Sequence, residues 1–118
     1  MSKRFLFILR QPPRSGIRAK ETLDMVLTLA AFDQTVGILF TDDGVYQLQP
    51  GQQDVSGAPV MSEMLGALSL YEVDSVWVEQ ESLQERGLTE SDTVIPARAI
   101  ARSAVAELLA AHDVVMAA

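Results

Sequence analysis

The sequence predicts an α/β fold: one three-layer domain, residues 1–118, in which helices flank an open, mostly parallel sheet of five strands. Two observations support this prediction. Short apolar runs alternate along the chain with segments of helical periodicity, an order typical of strands joined by crossover helices. The longer runs are apolar throughout instead of alternating with polar residues, which is typical of strands buried on both faces.

The first third of the chain contains two predicted strands and one long helix. Residues 5–9 and 36–40 are continuous apolar runs and are therefore the predicted strands. Between them, apolar residues recur at helical spacing over residues 19–31, which predicts an amphipathic helix of about four turns. A loop with two prolines and a glycine, residues 10–16, connects the first strand to this helix, and residues 32–34 end it.

The middle of the chain continues the alternation. Residues 45–48 are predicted to form a single helical turn, and the spacing of Met and Leu over residues 61–71 predicts a second helix. Residues 75–78 form the third predicted strand. A short helix over residues 82–86 is expected to end at Gly87, because glycine is common just after a helix.

The last quarter of the chain contains two further strands around one helix. Residues 94–95 are the fourth predicted strand, and Pro96 limits it to a weak or edge position. Apolar residues at helical spacing over residues 100–109 predict the last helix. Residues 114–116 close the sheet as its fifth strand.

Composition and charge exclude several classes of function. Nine basic residues against sixteen acidic ones give a net charge of −7, so no direct contact with nucleic acid is expected. The chain has no cysteine, which excludes disulfides, zinc–thiolate sites, iron–sulfur clusters and a cysteine nucleophile. No apolar stretch approaches the roughly 18–20 residues of a transmembrane helix, and none resembles a signal peptide. A soluble cytoplasmic protein without a membrane partner is therefore expected.

The loop after the first strand is a candidate anion site. Ligands of parallel α/β sheets tend to lie beyond the carboxyl ends of the strands. Arg10 and Arg14 supply positive charge there, and the backbone amides of Ser15 and Gly16 precede a helix, so the four residues can hold a phosphate-like group. The loop matches no nucleotide-binding motif. The alternative is a rigid connector whose arginines contact a partner or solvent.

Acidic residues follow the second and third strands. Asp42 and Asp43 are a pair able to bind Mg²⁺, but an Asp-Asp-Gly sequence more often begins a turn or caps a helix. Glu79 and Glu81 follow the third strand, where one of them can serve as a general base if buried; solvated or interface positions are the default expectation. His112, the only histidine, is expected near the end of the last helix. No catalytic constellation, cofactor site or metal site is predicted.

Two segments resemble the TusC/DsrF family of the DsrE-like sulfur-relay group. Residues 43–52 read DGVYQLQPGQ, similar to the family signature DGV[YF]QL..GQ. Residues 82–88 read SLQERGL, similar to the family segment SL.ERGL after the third strand. Weaker similarities precede and follow these segments, so that the resemblance covers nearly the whole chain and points to a TusC-like subunit.

The resemblance implies a role in an assembly. Members of this group form heterohexamers with two copies each of three small subunits. The TusBCD complex relays sulfur as a cysteine persulfide toward 2-thiolation of wobble uridine in tRNA, whereas DsrEFH serves dissimilatory sulfur oxidation. The persulfide cysteine belongs to the TusD/DsrE-like subunit, near the end of the strand that matches residues 75–78, where this chain has Glu79. The resemblance therefore implies a non-catalytic subunit with TusB-like and TusD-like (or DsrH-like and DsrE-like) siblings.

Five apolar or aromatic residues are candidates for the interface with such siblings, although each is equally compatible with a place in the core: Tyr46, Leu48, Met61, Met64 and Trp77. Two other functions remain open at this point. One is the sulfur-oxidation subunit instead of the tRNA-thiolation subunit. The other is a stand-alone protein that binds a small anion through the loop after the first strand.

Overall fold

The computed structural model describes residues 3–12, 18–49, 61–73 and 75–117. Within them, five parallel strands form one sheet, and helices pack on both of its faces. This confirms the predicted fold class. The elements in chain order are β1 (Arg4–Leu9), α1 (Arg18–Ala31), β2 (Thr35–Phe40), a 3-10 helix (Asp42–Leu48), α2 (Met61–Leu70), β3 (Ser75–Glu79), α3 (Gln80–Glu85), β4 (Arg98–Ile100), α4 (Val105–Ala110) and β5 (Val114–Ala117), with two further 3-10 turns at Glu90–Asp92 and Arg102–Ala104.

The order of the strands in space decides which face each helix covers. The sheet runs β4-β3-β2-β1-β5, so the chain steps in one direction from β1 to β4 and then returns across the sheet to β5. Crossovers between parallel strands are right-handed in nearly all proteins. The connections that contain α1, α2 and α3 therefore lie on one face, and the connection that contains α4 lies on the other.

The main core lies on the face that α1 and α2 cover. Alternate residues of β1, β2 and β3 point to this face and pack against the apolar stripes of the two helices, as the spacing of those stripes predicts. Removing this much apolar surface from water is the largest favourable contribution to folding. The fully or nearly fully buried residues of this core include Phe7, Leu9, Leu23, Val26, Ile38, Phe40, Leu48, Leu65, Leu68 and Val78.

The opposite face is covered less completely. Leu6 and Leu39 are fully buried there, but no side chain of α4 is. Trp77 points to this face because it pairs in register with Leu39. Its indole ring meets the ring of His112, which follows α4, edge-on at 5.9 Å between the ring centroids. This contact confirms that the α4 connection crosses the second face.

Two predicted boundaries in the last quarter are wrong. The fourth strand is Arg98–Ile100, not residues 94–95, because the Val94 N–H donates a hydrogen bond to the Leu48 carbonyl and ties its segment to the 3-10 helix. The last helix begins at Val105, not at residue 100, since Ile100 pairs with Glu79 in the sheet. Short apolar segments fit either the strand or the helix period, which is why the pattern was ambiguous here.

Among the described residues, no helix has both the length and the apolar character that crossing a membrane requires.

Candidate functional site

The carboxyl ends of β1 and β2 are joined through a close approach at Gly44. The Thr41 N–H donates to the Leu9 carbonyl at 3.1 Å, which continues the pairing beyond the strands. The 3-10 helix then turns back so tightly that a Cβ at Gly44 would lie 1.9 Å from the Leu9 oxygen. No side chain fits in that space, so position 44 requires glycine. Asp42 and Asp43 begin this helix, which confirms the turn interpretation of the Asp-Asp-Gly sequence.

A buried carboxylate lies at the end of β3. Glu79 is 7% exposed, and the hydroxyl of the fully buried Ser82 donates to its Oε1 at 2.5 Å. The same hydroxyl oxygen accepts a hydrogen bond from the Asp42 N–H at 2.8 Å. Ser82 therefore links the end of β2 to the end of β3, with both its donor and an acceptor position occupied. The default expectation of a solvated or interface Glu79 is wrong, because α3 begins directly after it and brings Ser82 over the carboxylate.

Arg102, just after β4, provides the countercharge. Its Nε and Nη2 donate to Glu79 Oε1 at 3.1 and 3.0 Å, and Nη2 also donates to Glu85 Oε1 at 3.0 Å. Its backbone N–H donates to Glu81 Oε1 at 2.8 Å. The hydrogen bonds to Glu79 and then to Glu85 raise the pKa of Arg102 above its already high usual value, so the guanidinium stays charged at every pH at which the protein is folded.

Two further arginines at this end of the sheet are also paired. Arg86 Nε lies 3.1 Å from Asp43 Oδ1, and its Nη1 donates to the Ser82 carbonyl at 3.1 Å. Arg10 Nε lies 3.3 Å from Asp42 Oδ2. Ion pairs and hydrogen bonds thus connect the carboxyl ends of β1, β2, β3 and β4 in one polar network, which we call the strand-end network: Arg10, Asp42, Asp43, Glu79, Glu81, Ser82, Glu85, Arg86 and Arg102.

The role that this network supports is structural. The Ser82 hydroxyl donates its proton to a carboxylate and has no histidine beside it, so it is not an activated nucleophile. His112 lies on the other face, and its Nδ1 is 2.7 Å from the Leu108 carbonyl. In the part of the chain that the structure describes, no group of three or more acidic or histidine side chains is arranged to hold a metal ion.

The structure places the candidate anion loop only in part. Arg10 is exposed and paired with Asp42, so its guanidinium already faces a carboxylate of this chain. Arg14, Ser15 and Gly16 lie outside the described residues. His112 lies just beyond the end of α4, as the sequence indicates.

The five candidate interface residues occupy different environments. Leu48 is fully buried in the core of this chain, which is the alternative that the sequence left open. Tyr46, Met64 and Trp77 are half-buried, and Met64 packs against the core. Met61 is the first residue of α2, and its side chain lies outside what the structure describes. Their role at an interface stays a prediction.

Four residues of the network were not singled out by sequence reasoning: Ser82, Glu85, Arg86 and Arg102. Arg102 follows a strand of three residues and lies within the range predicted as the last helix, residues 100–109. Ser82 begins the SLQERGL segment, where the sequence predicts a short helix but no contact of the serine. The contact of Arg102 with Glu79 depends on strand order, which no local pattern encodes. Ser82, in contrast, reaches Glu79 from only three residues further along the chain.

Fold and site together define a parallel α/β protein whose strand-end site is filled by its own ion pairs and lacks a cysteine. The chain belongs to the DsrE/DsrF-like family, whose model matches residues 3–118. This confirms the resemblance seen in the DGVYQL and SLQERGL segments.

Two relatives support this assignment. The chain is 40% identical to a protein TusC homolog of Pseudomonas aeruginosa over 117 residues, 98% of each chain. It is 45% identical over 93 residues to the intracellular sulfur oxidation protein DsrF of Allochromatium vinosum, covering 78% of this chain and 68% of that one.

The structural matches concern the fold. The ychN protein of Escherichia coli matches with a TM-score of 0.85 at 15% identity, covering 98% of this chain and 99% of the other. A protein of unknown function from Methanobacterium thermoautotrophicum matches with a TM-score of 0.73 at 15% identity, covering 99% and 100%.

Proposed function

We propose that this chain is a non-catalytic subunit of a cytoplasmic, heterohexameric sulfur-relay complex of the TusBCD type, which supports 2-thiolation of wobble uridine in tRNA. Its siblings are a TusB-like and a TusD-like subunit, and the persulfide cysteine belongs to the TusD-like sibling. The chain acts as one domain, residues 1–118, that holds the sulfur-carrying sibling in the assembly.

The observation that supports this proposal most strongly is the state of Glu79. The resemblance puts the sulfur-carrying cysteine of the sibling near the position of Glu79, at the end of β3. In this chain the position is occupied by a carboxylate that Ser82 and Arg102 hold, and the chain has no cysteine elsewhere. A persulfide requires a cysteine sulfur. This chain therefore contributes to the relay through assembly and not through covalent chemistry.

The extent of the match favours the tRNA-thiolation type over the sulfur-oxidation type. The match to the TusC homolog covers 98% of this chain, whereas the match to DsrF covers 78% of it. The DsrF-like function in a DsrEFH complex remains the second candidate, because identity to DsrF within the matched region is higher, at 45%. The net charge of −7 is consistent with tRNA contacts made by other components of the pathway.

The deciding experiment is to purify this protein at native levels from its own cells, measure the mass of its complex, and identify the associated chains. We expect a complex with two small siblings, one of which has a cysteine that labels as a persulfide. Loss of 2-thiouridine from tRNA after deletion of the gene supports the TusBCD type. Normal thiolation combined with defective sulfur oxidation supports the DsrEFH type.

Recovery of the chain without siblings, as a monomer or a homo-oligomer, would contradict the proposal and favour the stand-alone anion-binding function. Thermal shift with phosphate, sulfite and thiosulfate then tests that function, since a ligand specific for the folded state raises the melting temperature. Arg10→Ala is the matched variant for that measurement.

A further inference from the structure

The second face of the sheet is too wide for the helix that covers it. The helix α4 has six residues and, like any α-helix, is about 10 Å wide, whereas five strands span roughly 20 Å. None of its side chains is buried. Val115 points to this face, since it pairs with Leu6, and it is 41% exposed. Part of this face is therefore open to another molecule.

A recess opens on this face where β3 and β4 diverge. Trp77 pairs with Arg98, the first residue of β4, so the preceding residues of β3 have no neighbour in β4. A recess of about 500 Å³, open to solvent on one side, lies between these residues and the chain before β4. We call it the Trp77–Arg98 recess; its lining residues are Ser75, Val76, Trp77, Pro96, Ala97 and Arg98.

The aromatic wall of the recess is held from two sides. A Cβ at Gly37 would lie 2.7 Å from a ring carbon of Trp77, so the absence of a side chain lets the indole lie against β2. The ring of His112 meets the indole edge-on on another side, at an interplanar angle of 86°. A side chain fixed before binding loses less entropy when a ligand binds.

The charged wall of the recess is Arg98. Its side chain is exposed, and among the described residues no carboxylate pairs with it. This contrasts with Arg10, Arg86 and Arg102, each of which faces at least one carboxylate at the other end of the sheet. An unpaired guanidinium on a chain with a net charge of −7 is an attractive position for an external carboxylate.

We propose that the Trp77–Arg98 recess receives an anchor segment of a sibling subunit, in which a carboxylate lies next to an apolar side chain. This inference rests on the assembly function proposed above and names the chemistry of the partner. The carboxylate pairs with Arg98, and the apolar side chain packs on the indole of Trp77. Tryptophan and arginine that line a pocket are the residue types that contribute most to protein interfaces.

Charge reversal at Arg98 tests the inference. This chain and the two siblings, purified separately, are mixed, and the dissociation constant of the complex is measured. We expect Arg98→Glu to weaken assembly at least tenfold and Arg98→Lys to retain most of the affinity. Arg18→Glu is the matched control, because Arg18 is also exposed but begins α1 on the other face; it is expected to change the affinity less than twofold. Urea denaturation of each variant confirms that it folds.

A second readout reports on the recess itself. Trp77 is the only tryptophan, so 5-fluorotryptophan incorporated into this chain gives a single ¹⁹F resonance. We expect the resonance to shift when the siblings bind. Wild-type affinity of Arg98→Glu, or an unchanged resonance in a complex that has formed, would overturn the inference but leave the assembly function standing. A shift that depends only on the concentration of this chain would assign the recess to a second copy. Failure of the wild-type chain to bind any sibling would contradict the proposed function itself.

Discussion

The two ends of the sheet differ in whether their charged side chains are paired and whether their apolar side chains are buried. At the carboxyl end, the strand-end network pairs three arginines with acidic side chains, and Glu79 is buried. At the amino end, Arg98 has no carboxylate partner within the described part of the chain, and two large apolar side chains are exposed where α1 and α2 end: Phe32 is 73% exposed and Leu70 83%. The chain thus fills the end where α/β proteins usually bind ligands and leaves the other end open.

This difference fits the proposed non-catalytic role. A cysteine nucleophile needs a partly exposed position with nearby positive charge. Here the end of β3 has positive charge from Arg102, but the Glu79 carboxylate neutralises it, and α3 covers that carboxylate. The ion pairs and hydrogen bonds of the network join four strand ends. Exposed apolar surface at the amino end is then available for assembly.

The largest effect that we predict tests the rigidity of the carboxyl end. Gly44→Ala forces a Cβ against the Leu9 carbonyl, so the strand ends must separate; we expect a loss of about 3 kcal/mol in the free energy of unfolding. The control is Gly66→Ala, at an exposed position of α2 where a Cβ meets nothing within 4 Å. That substitution is expected to stabilise by about 0.5–1 kcal/mol, because alanine is the better helix former.

Urea denaturation of the two variants measures both values. Equal changes in the free energy of unfolding for the two variants would mean that the end of β1 moves easily to make room for the added Cβ. The contrast between the two ends of the sheet would then be lost.

The next effect separates the buried part of the strand-end network from its exposed part. Glu79→Gln removes the charge that binds Arg102 and Ser82 in a place that water does not reach, and we expect a loss of about 2 kcal/mol. Glu85→Gln breaks an ion pair to the same arginine, but Glu85 is 55% exposed, and a loss of about 0.5 kcal/mol or less is expected.

Both variants are also assayed for sulfur transfer in the reconstituted complex. Because Glu79 is assigned a structural role, the rate per assembled complex is expected to be that of the wild type for both. A reduced rate in a fully assembled Glu79→Gln complex would show that the carboxylate takes part in the relay.

Most of the fold was predictable because it depends on local patterns. The apolar runs of β1 and β2 are continuous because these strands are buried on both faces. The apolar stripe of α1 recurs at helical spacing because this helix is buried on one face, and the structure confirms all three elements. The element around β4 was not predictable. Three residues are too few to distinguish the strand period from the helix period, and a contact between Val94 and Leu48 decides where the strand begins.

For the strand-end network, only its location at the carboxyl ends of the strands was predictable from the sequence. That polar groups gather at the carboxyl ends of parallel strands is a general rule, and it correctly drew attention to Asp42 and Glu79. The partner of Glu79 follows from the adjacency of β3 and β4, which the sequence does not state. The requirement for glycine at position 44 also depends on a contact that the sequence does not state. The neighbour of Gly44 is the carbonyl of Leu9, 35 residues earlier.

The smallest effects that we predict concern residues that share one backbone conformation, with positive φ, at the two ends of the sheet. Glu72, Asp33 and Asp42 all have positive φ, at 61°, 61° and 52°. Glu72 and Asp33 follow the last turns of α2 and α1, a place where glycine is preferred, and aspartate tolerates the conformation better than glutamate. We expect Glu72→Gly to stabilise by about 1 kcal/mol and Asp33→Gly by about 0.5 kcal/mol.

Asp42→Gly relieves similar strain but also loses the ion pair with Arg10, so its net effect is expected to be near zero, within about 0.5 kcal/mol. Its backbone N–H still donates to Ser82, which keeps β2 linked to α3 in the variant. Urea denaturation at low and high salt separates the two contributions, since salt screens the ion pair and leaves the strain unchanged. A stabilisation by Asp42→Gly as large as that by Glu72→Gly at both salt concentrations would mean that the Asp42 side chain adds nothing to the network. The carboxyl end would then be held by the other contacts of the network, those of Glu79 with Ser82 and Arg102 and of Asp43 with Arg86.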